Sequence, residues 1–155
     1  MRHLVACCCA AALTGCAKSE PKPASDTAEA APAAPAAATI SLGDVAGKWN
    51  VRTMAESGDS TLISFELVVS GDKSDWTEHF PNRDPIAVRV VAVDGDSIVT
   101  EAGPFESVLR KGVQVTTRSV NRLVDGKLVG ATVARYATTG PDSVRHLRFE
   151  GTRAP

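Results

Sequence analysis

Cysteine and histidine are the residue types in this chain whose chemistry depends most on their spacing. Cys7, Cys8 and Cys9 lie side by side in an apolar run, and Cys16 stands just after its end. Cysteine packs readily as a small hydrophobe, so three of them inside an apolar run need no metal or redox role. Cys16 is different, because it stands directly after the apolar run and not inside it.

The remaining polar residues give no pattern typical of catalysis or metal binding. Beyond the apolar run the histidines are His79 and His146, far apart in the sequence. A metal site needs three or four ligands, often with two closely spaced. Glu78 and His79 are neighbours, but successive residues of a strand point to opposite faces. We therefore expect no metal, no cofactor and no catalytic residue, and hence a protein that is not an enzyme.

The first sixteen residues are typical of export. Residues 4–13 are ten consecutive apolar or small residues after Arg2 and His3, too few for a membrane-spanning helix but suited to a signal peptide. The next step, Leu13-Thr14-Gly15-Cys16, resembles a bacterial lipobox. The resemblance implies that residues 1–15 are removed and that Cys16 is lipidated and holds the protein on a membrane. An ordinary cleaved signal and a buried N-terminal helix are the alternatives.

The resemblance also implies a location, because many such lipoproteins carry an aspartate after the cysteine when they stay at the inner membrane. Ala17 stands there instead, which favours the outer membrane. Residues 17–39 contain ten Ala and four Pro and no large apolar side chain. Such a segment cannot bury enough surface to order itself, so residues 16–39 are expected to be a lipidated cysteine and a disordered tether. The folded domain is then 40–155.

The balance of charges in the chain bears on nucleic acids as a class of partner. The chain has 17 Lys and Arg against 18 Asp and Glu, a formal net charge of −1. This balance gives no reason to expect nucleic acid as a partner.

The domain has the pattern of β-strands throughout. Apolar residues alternate along several segments, and turn residues such as Asp94-Gly95 and Asp125-Gly126 separate the segments at short intervals. Eight strands are predicted: 47–54, 61–69, 74–80, 86–93, 97–110 with a bend at Gly103-Pro104, 113–123, 127–137 and 143–152. Eight antiparallel strands without intervening helices predict an all-β, up-and-down meander that closes into a small barrel. A two-sheet sandwich is the competing architecture.

The first and last predicted strands carry a family resemblance. Gly47-Lys48-Trp49 and the terminal Arg153 are similar to the Gly-x-Trp start and the late basic residue of lipocalins and related calycin barrels. The resemblance implies that Trp49 packs across the barrel base under Arg153 and that both are structural. A domain of about 115 residues without a C-terminal helix is smaller than typical lipocalins, so a small calycin-like lipoprotein barrel is the better comparison.

The alternation set by Trp49 also predicts the barrel interior. It places an aromatic and aliphatic wall beside a few polar groups, which is typical of a ligand pocket. The candidate ligand-binding residues are Phe65, Trp76, Glu78, Phe80, Tyr136 and Arg145. We expect a non-catalytic module for a small amphipathic or apolar ligand. The alternative is a structural or interaction module of the cell envelope, with a filled barrel and a protein partner.

Overall fold

The computed structural model describes residues 39–155. The predicted signal segment, Cys16 and all but the last residue of the predicted tether lie outside this range. Within it the chain forms one short helix and eight strands.

The strands follow one another around a closed barrel. The one-turn helix α1 is Leu42–Val45, and a single 3₁₀ turn, Pro141–Ser143, precedes the last strand. The strands are β1 Gly47–Ala55, β2 Thr61–Val69, β3 Trp76–His79, β4 Ile86–Asp94, β5 Ser97–Glu106, β6 Gln114–Val124, β7 Lys127–Tyr136 and β8 Val144–Arg153. Each pairs antiparallel with the next, and β8 returns to pair with β1. The predicted all-β meander that closes into a barrel is confirmed, and the sandwich is excluded.

One stretch of the predicted fifth strand is wrong. The strand continues past the bend at Gly103-Pro104, as expected, but it ends at Glu106 and not at Arg110. The Ser107 hydroxyl accepts hydrogen bonds from the backbone N–H groups of Leu109 and Arg110, at 3.1 Å each. These bonds turn the chain away from the sheet, because a local side-chain acceptor competes with the strand ladder for the same N–H groups.

The meander gives the barrel two unlike ends. Since the strands alternate in direction, the loops after even-numbered strands lie at the same end as α1 and the start of β1. The Ile40 N–H ties the chain to this end by donating to the Gly95 carbonyl at 2.9 Å. The loops after odd-numbered strands lie at the opposite end, which we call the mouth.

The α1 end is closed by Trp49 and its neighbours. Trp49 is fully buried, and its indole N–H donates to the Val45 carbonyl at 2.8 Å. The Arg153 guanidinium lies 4.4 Å from the ring centroid of Trp49 and donates to the Ala46 and Asp44 carbonyls at 2.7 and 2.6 Å. A cation over the face of a tryptophan is attracted to the ring. Arg153 therefore joins β8, α1 and Trp49 at the barrel base.

Most charges on the outer face of the barrel are paired across neighbouring strands. Glu101, for example, bridges Arg89 and Arg118 at 2.5 Å each. None of the helices in the part of the chain described is both long and apolar enough to span a bilayer.

Candidate functional site

The barrel encloses a cavity of about 80 Å³ in its mouth half. It lies above the Trp49 base, and residues 107–109 of the loop after β5 reach over it. Its lining residues are Val51, Thr53, Ile63, Phe65, Leu67, Trp76, Glu78, Phe80, Val88, Thr100, Phe105, Ser107, Val108, Leu109, Val115, Thr117, Ser119, Asn121, Thr132, Ala134, Tyr136, Leu147 and Phe149.

One wall of the cavity is apolar and aromatic. It is formed by β2 and β3, whose inward side chains alternate with outward ones along each strand. The rings of Phe65 and Phe80 have their centroids 4.7 Å apart and are tilted by 34°. Trp76 completes this wall and is held in place because its indole N–H donates to the Asp72 carbonyl at 2.8 Å.

The facing wall carries amide and hydroxyl groups. In a ring of eight strands, β6 and β7 lie opposite β2 and β3. Asn121 donates from its Nδ2 atom to the Ile98 carbonyl at 2.9 Å and to the Thr100 hydroxyl at 3.1 Å. The hydroxyls of Ser119 and Thr132 are 2.7 Å apart and share a hydrogen bond. These hydrogen bonds hold the polar wall in place without a ligand.

Glu78 is the only carboxyl among the lining residues, and it stands on the apolar wall. Its strand position pairs with Leu67 on β2 and Ile86 on β4. The side chain makes no hydrogen bond or ion pair within residues 39–155, and burial raises the pKa of its carboxyl from 4.5 to about 7. A carboxyl in apolar surroundings keeps its proton longer because the charged form loses its hydration. Glu78 is therefore held without a protein partner, at the edge of an open space.

Basic side chains surround the mouth of the barrel. The Arg110 guanidinium lies 4.2 Å from the ring centroid of Tyr136. Arg83 lies 5.9 Å from the ring centroid of Phe80 and donates to the Glu106 carbonyl at 2.8 Å. Both arginines sit above aromatic residues of the cavity, and neither of them lines it.

The structure brings together five of the six candidate ligand-binding residues. Phe65, Trp76, Glu78, Phe80 and Tyr136 all line the cavity, whereas Arg145 does not. Arg145 is half-buried on β8, opposite Ala134, near the mouth. Whether any of the six binds a ligand stays a prediction.

Several lining residues were not among the candidates. Thr100 lies on β5, and continuing the alternation from Ile98 along that strand would have placed it inside. Residues 107–109 lie in the loop that was read as strand, so the strand assignment hid their position over the cavity. Thr132 and Ala134 are the corresponding inward residues of β7.

Two further findings bear on what the site can do. Residues 39–155 contain no group of three or more His, Cys, Asp or Glu side chains placed to hold a metal ion. Comparison of the chain with protein-family models, with curated proteins and with solved structures finds no match.

Proposed function

We propose that the protein is a lipid-anchored lipoprotein of the bacterial envelope whose small barrel binds a small amphipathic or apolar molecule without catalysis. In this proposal Cys16 carries the acyl chains and residues 17–39 hold the barrel away from the outer membrane. The barrel is of the calycin type.

The calycin assignment is supported by the barrel base. The resemblance to lipocalins implies a tryptophan at the start of the first strand under a basic residue near the end of the last. Trp49 and Arg153 stand in that arrangement, with the guanidinium 4.4 Å from the ring centroid. Eight antiparallel strands in chain order support the same assignment.

The cavity is the observation that carries the ligand-binding proposal. Ligand sites are typically concave and mostly apolar, with a few polar groups that orient the ligand. Here Phe65, Trp76 and Phe80 supply apolar surface on one side, and Thr100 and Asn121 supply polar groups on another.

The size of the cavity limits the ligand. A volume of about 80 Å³ is well below the roughly 300–1,000 Å³ of pockets for drug-sized molecules. One water-sized group needs about 10–15 Å³ of such volume, so the cavity suits a group of about five heavy atoms, such as a short alkyl chain. The best small ligands gain about 1.5 kcal/mol per heavy atom, so five atoms bring at most about 7 kcal/mol. We therefore expect micromolar to millimolar affinity for the part of the ligand inside the barrel.

Titration with 1-butanol, followed by NMR, tests the proposal. The chain has two tryptophans, so a ¹⁵N spectrum shows two indole N–H signals. Trp76 lines the cavity and Trp49 does not. We expect the Trp76 signal to shift and saturate with 1-butanol, and the Trp49 signal to shift less.

A pair of variants on β7 provides the control. Ala134 is buried and lines the cavity, whereas Ala131 is exposed on the outer face. Ala134→Leu fills the cavity and should abolish the Trp76 shift, while Ala131→Leu should leave it unchanged. An Ala134→Leu protein that still binds like the unmodified protein would show that the cavity is not the binding site.

The small volume also favours a second candidate function. Small eight-stranded barrels are often filled by their own side chains. If no short-chain alcohol or alkane moves the Trp76 signal, the protein is better described as a structural or interaction module whose outer face or tether meets an envelope partner.

A further inference from the structure

Glu78 is surrounded by groups that do not compensate its charge. Trp76 lies two residues before it on β3 and Phe80 two residues after it, just past the end of the strand. Its neighbours on the adjacent strands are Leu67 and Ile86. Its carboxyl oxygens face the open space of the cavity, since no side-chain oxygen or nitrogen in the described part of the chain is fully buried without a hydrogen-bond partner. A carboxyl that lines an apolar cavity and has no partner among the described residues is placed to pair with a group that enters the cavity.

The aromatic rings around Glu78 favour one kind of partner. Phe80 follows β3 directly and lines the cavity, and its ring centroid lies 4.7 Å from that of Phe65. Trp76 precedes Glu78 on the same face. The faces of aromatic rings attract cations within about 6 Å, and ammonium groups are the usual ligands of such clusters. A carboxylate and three aromatic side chains on one apolar wall therefore match a cationic nitrogen.

We propose that the ligand of the barrel carries an ammonium group, which pairs with the Glu78 carboxylate among Phe65, Trp76 and Phe80 while a short alkyl part fills the rest of the cavity. This inference rests on the proposed function, because it specifies the ligand of the same site. It does not depend on the lipid anchor.

None of the other charged groups around the site pairs with Glu78 within the described residues. Among the lining residues Tyr136, on the facing strand β7, is the only other titratable side chain. The mouth loops carry Arg83 and Arg110, which are held by the Glu106 carbonyl and the Tyr136 ring, and β8 carries Arg145 near the mouth. None of these arginines lines the cavity. Arg83 lies at the mouth, 5.9 Å from the ring centroid of Phe80, so an entering ammonium group passes a basic side chain at the mouth and finds none among the lining residues.

Three ligands with short alkyl chains of similar size test the proposal on the full chain: n-butylammonium, 1-butanol and butyrate. The readout is the saturable shift of the Trp76 indole signal at pH 8. We expect n-butylammonium to bind at least tenfold more tightly than 1-butanol, and butyrate to bind more weakly than either. At pH 5.5, where the Glu78 carboxyl is mostly protonated, the preference for the ammonium should fall to less than threefold.

Variants of Glu78 distinguish the effect of its charge on ligand binding from the effect of its shape. Glu78→Gln should weaken n-butylammonium binding at least tenfold and leave 1-butanol binding within twofold. Glu78→Asp keeps a carboxylate and should retain part of the preference. Glu66→Gln is the matched control, because Glu66 lies on the neighbouring strand β2 and pairs with Lys48 at 3.2 Å outside the cavity. This control should bind all three ligands like the unmodified protein.

The outcomes distinguish this inference from the proposed function. If 1-butanol binds as tightly as n-butylammonium, or if Glu78→Gln leaves the preference unchanged, the inference is wrong and the binding function stands. Tighter binding of butyrate would also overturn the inference, since it would place the recognition at the arginines of the mouth. If none of the three ligands shifts the Trp76 signal, the proposed function itself fails.

Discussion

Replacing Glu78 with glutamine should make the barrel more stable at alkaline pH than the unmodified protein, and this gain should disappear in acid. Glutamine has nearly the same shape as glutamate, but it has no proton to lose. Glu78 is half-buried in the cavity wall and has no partner within the described residues. The variant therefore removes the ionisation of the Glu78 carboxyl and leaves the packing of the cavity wall nearly unchanged.

The direction of the stability change follows from the pKa of Glu78 in the unfolded chain and in the folded barrel. In the unfolded chain the carboxyl loses its proton near pH 4.5, and in the folded barrel it does so only near pH 7. Between these values the folded state binds more protons than the unfolded state, so stability falls as the pH rises. Below pH 4.5 the group has no effect on stability, and above pH 7 its full destabilising effect is present.

The size of the stability change follows from the same two pKa values. Each pKa unit corresponds to about 1.4 kcal/mol, so a rise from 4.5 to about 7 is equivalent to about 3 kcal/mol. This figure is an upper bound, because part of the side chain reaches solvent through the cavity. From pH 5 to pH 8, the free energy of unfolding of Glu78→Gln should rise relative to the unmodified protein by roughly 2 to 3 kcal/mol.

Urea denaturation at the two pH values measures this difference. Urea slopes for small domains are about 1–3 kcal/mol per molar, so the gap between the two midpoints should change by roughly 0.7–3 M. Other titrating groups are common to both proteins and cancel in the comparison. Glu66→Gln is the control, and its difference from the unmodified protein should stay within about 0.5 kcal/mol. If the difference in free energy of unfolding between Glu78→Gln and the unmodified protein stays constant from pH 5 to pH 8, the pKa of Glu78 is not raised in the folded barrel.

Three further predictions concern the anchor and the barrel. Palmitate labelling in the native host should be lost in Cys16→Ala, and equal labelling of both proteins would rule out the anchor. Trp49→Ala should lower the free energy of unfolding by about 3–5 kcal/mol, and a melting temperature within a few degrees of the unmodified protein would contradict a structural role. Gly130→Ala should destabilise the barrel severely, because its Cβ would overlap the backbone carbonyl oxygen of Val120 and lie 2.5 Å from the Phe149 ring. Gly71→Ala is the matched control, since its Cβ meets no atom within 4 Å; equal urea midpoints for these two variants would contradict the packing argument.

The fold was largely predictable because its signals are local. Strand alternation and turn residues lie within a few positions of one another, and short hairpins then leave a meander as the simplest connection. The turn at Asp125 and Gly126 has positive φ at both residues, 50° and 75°, as an Asp-Gly hairpin requires. The turn after β4 differs slightly, because Asp94 pairs with Ser97 and leaves Gly95 and Asp96 as its two central residues.

The helix α1 was missed because its signal is short. Ser41 caps it through a reciprocal pair of hydrogen bonds with Asp44. Aspartate at that position is a weaker sign of a capping box than glutamate or glutamine. One turn of helix is also too short to show a period.

The site was only partly predictable, since alternation tells which side chains point inward but not how much space they leave. The volume depends on how Phe65, Phe80 and their neighbours pack together, which involves strands distant in sequence. Arg145 shows the same limit, because it has the inward parity of Leu147 and still lies outside the cavity lining. Glu78 was found by alternation, whereas its lack of a partner became evident only in the folded barrel.

Intermolecular NOEs between n-butylammonium and the protein would show directly whether the barrel interior takes in a small cationic amphiphile. We expect contacts from the butyl protons to the ring protons of Phe65, Trp76 and Phe80, and none to Trp49. The Glu78→Gln protein should lose these contacts at the same ligand concentration. Contacts confined to the outer face of the barrel, or no contact with any of the three rings at saturation, would contradict the claim.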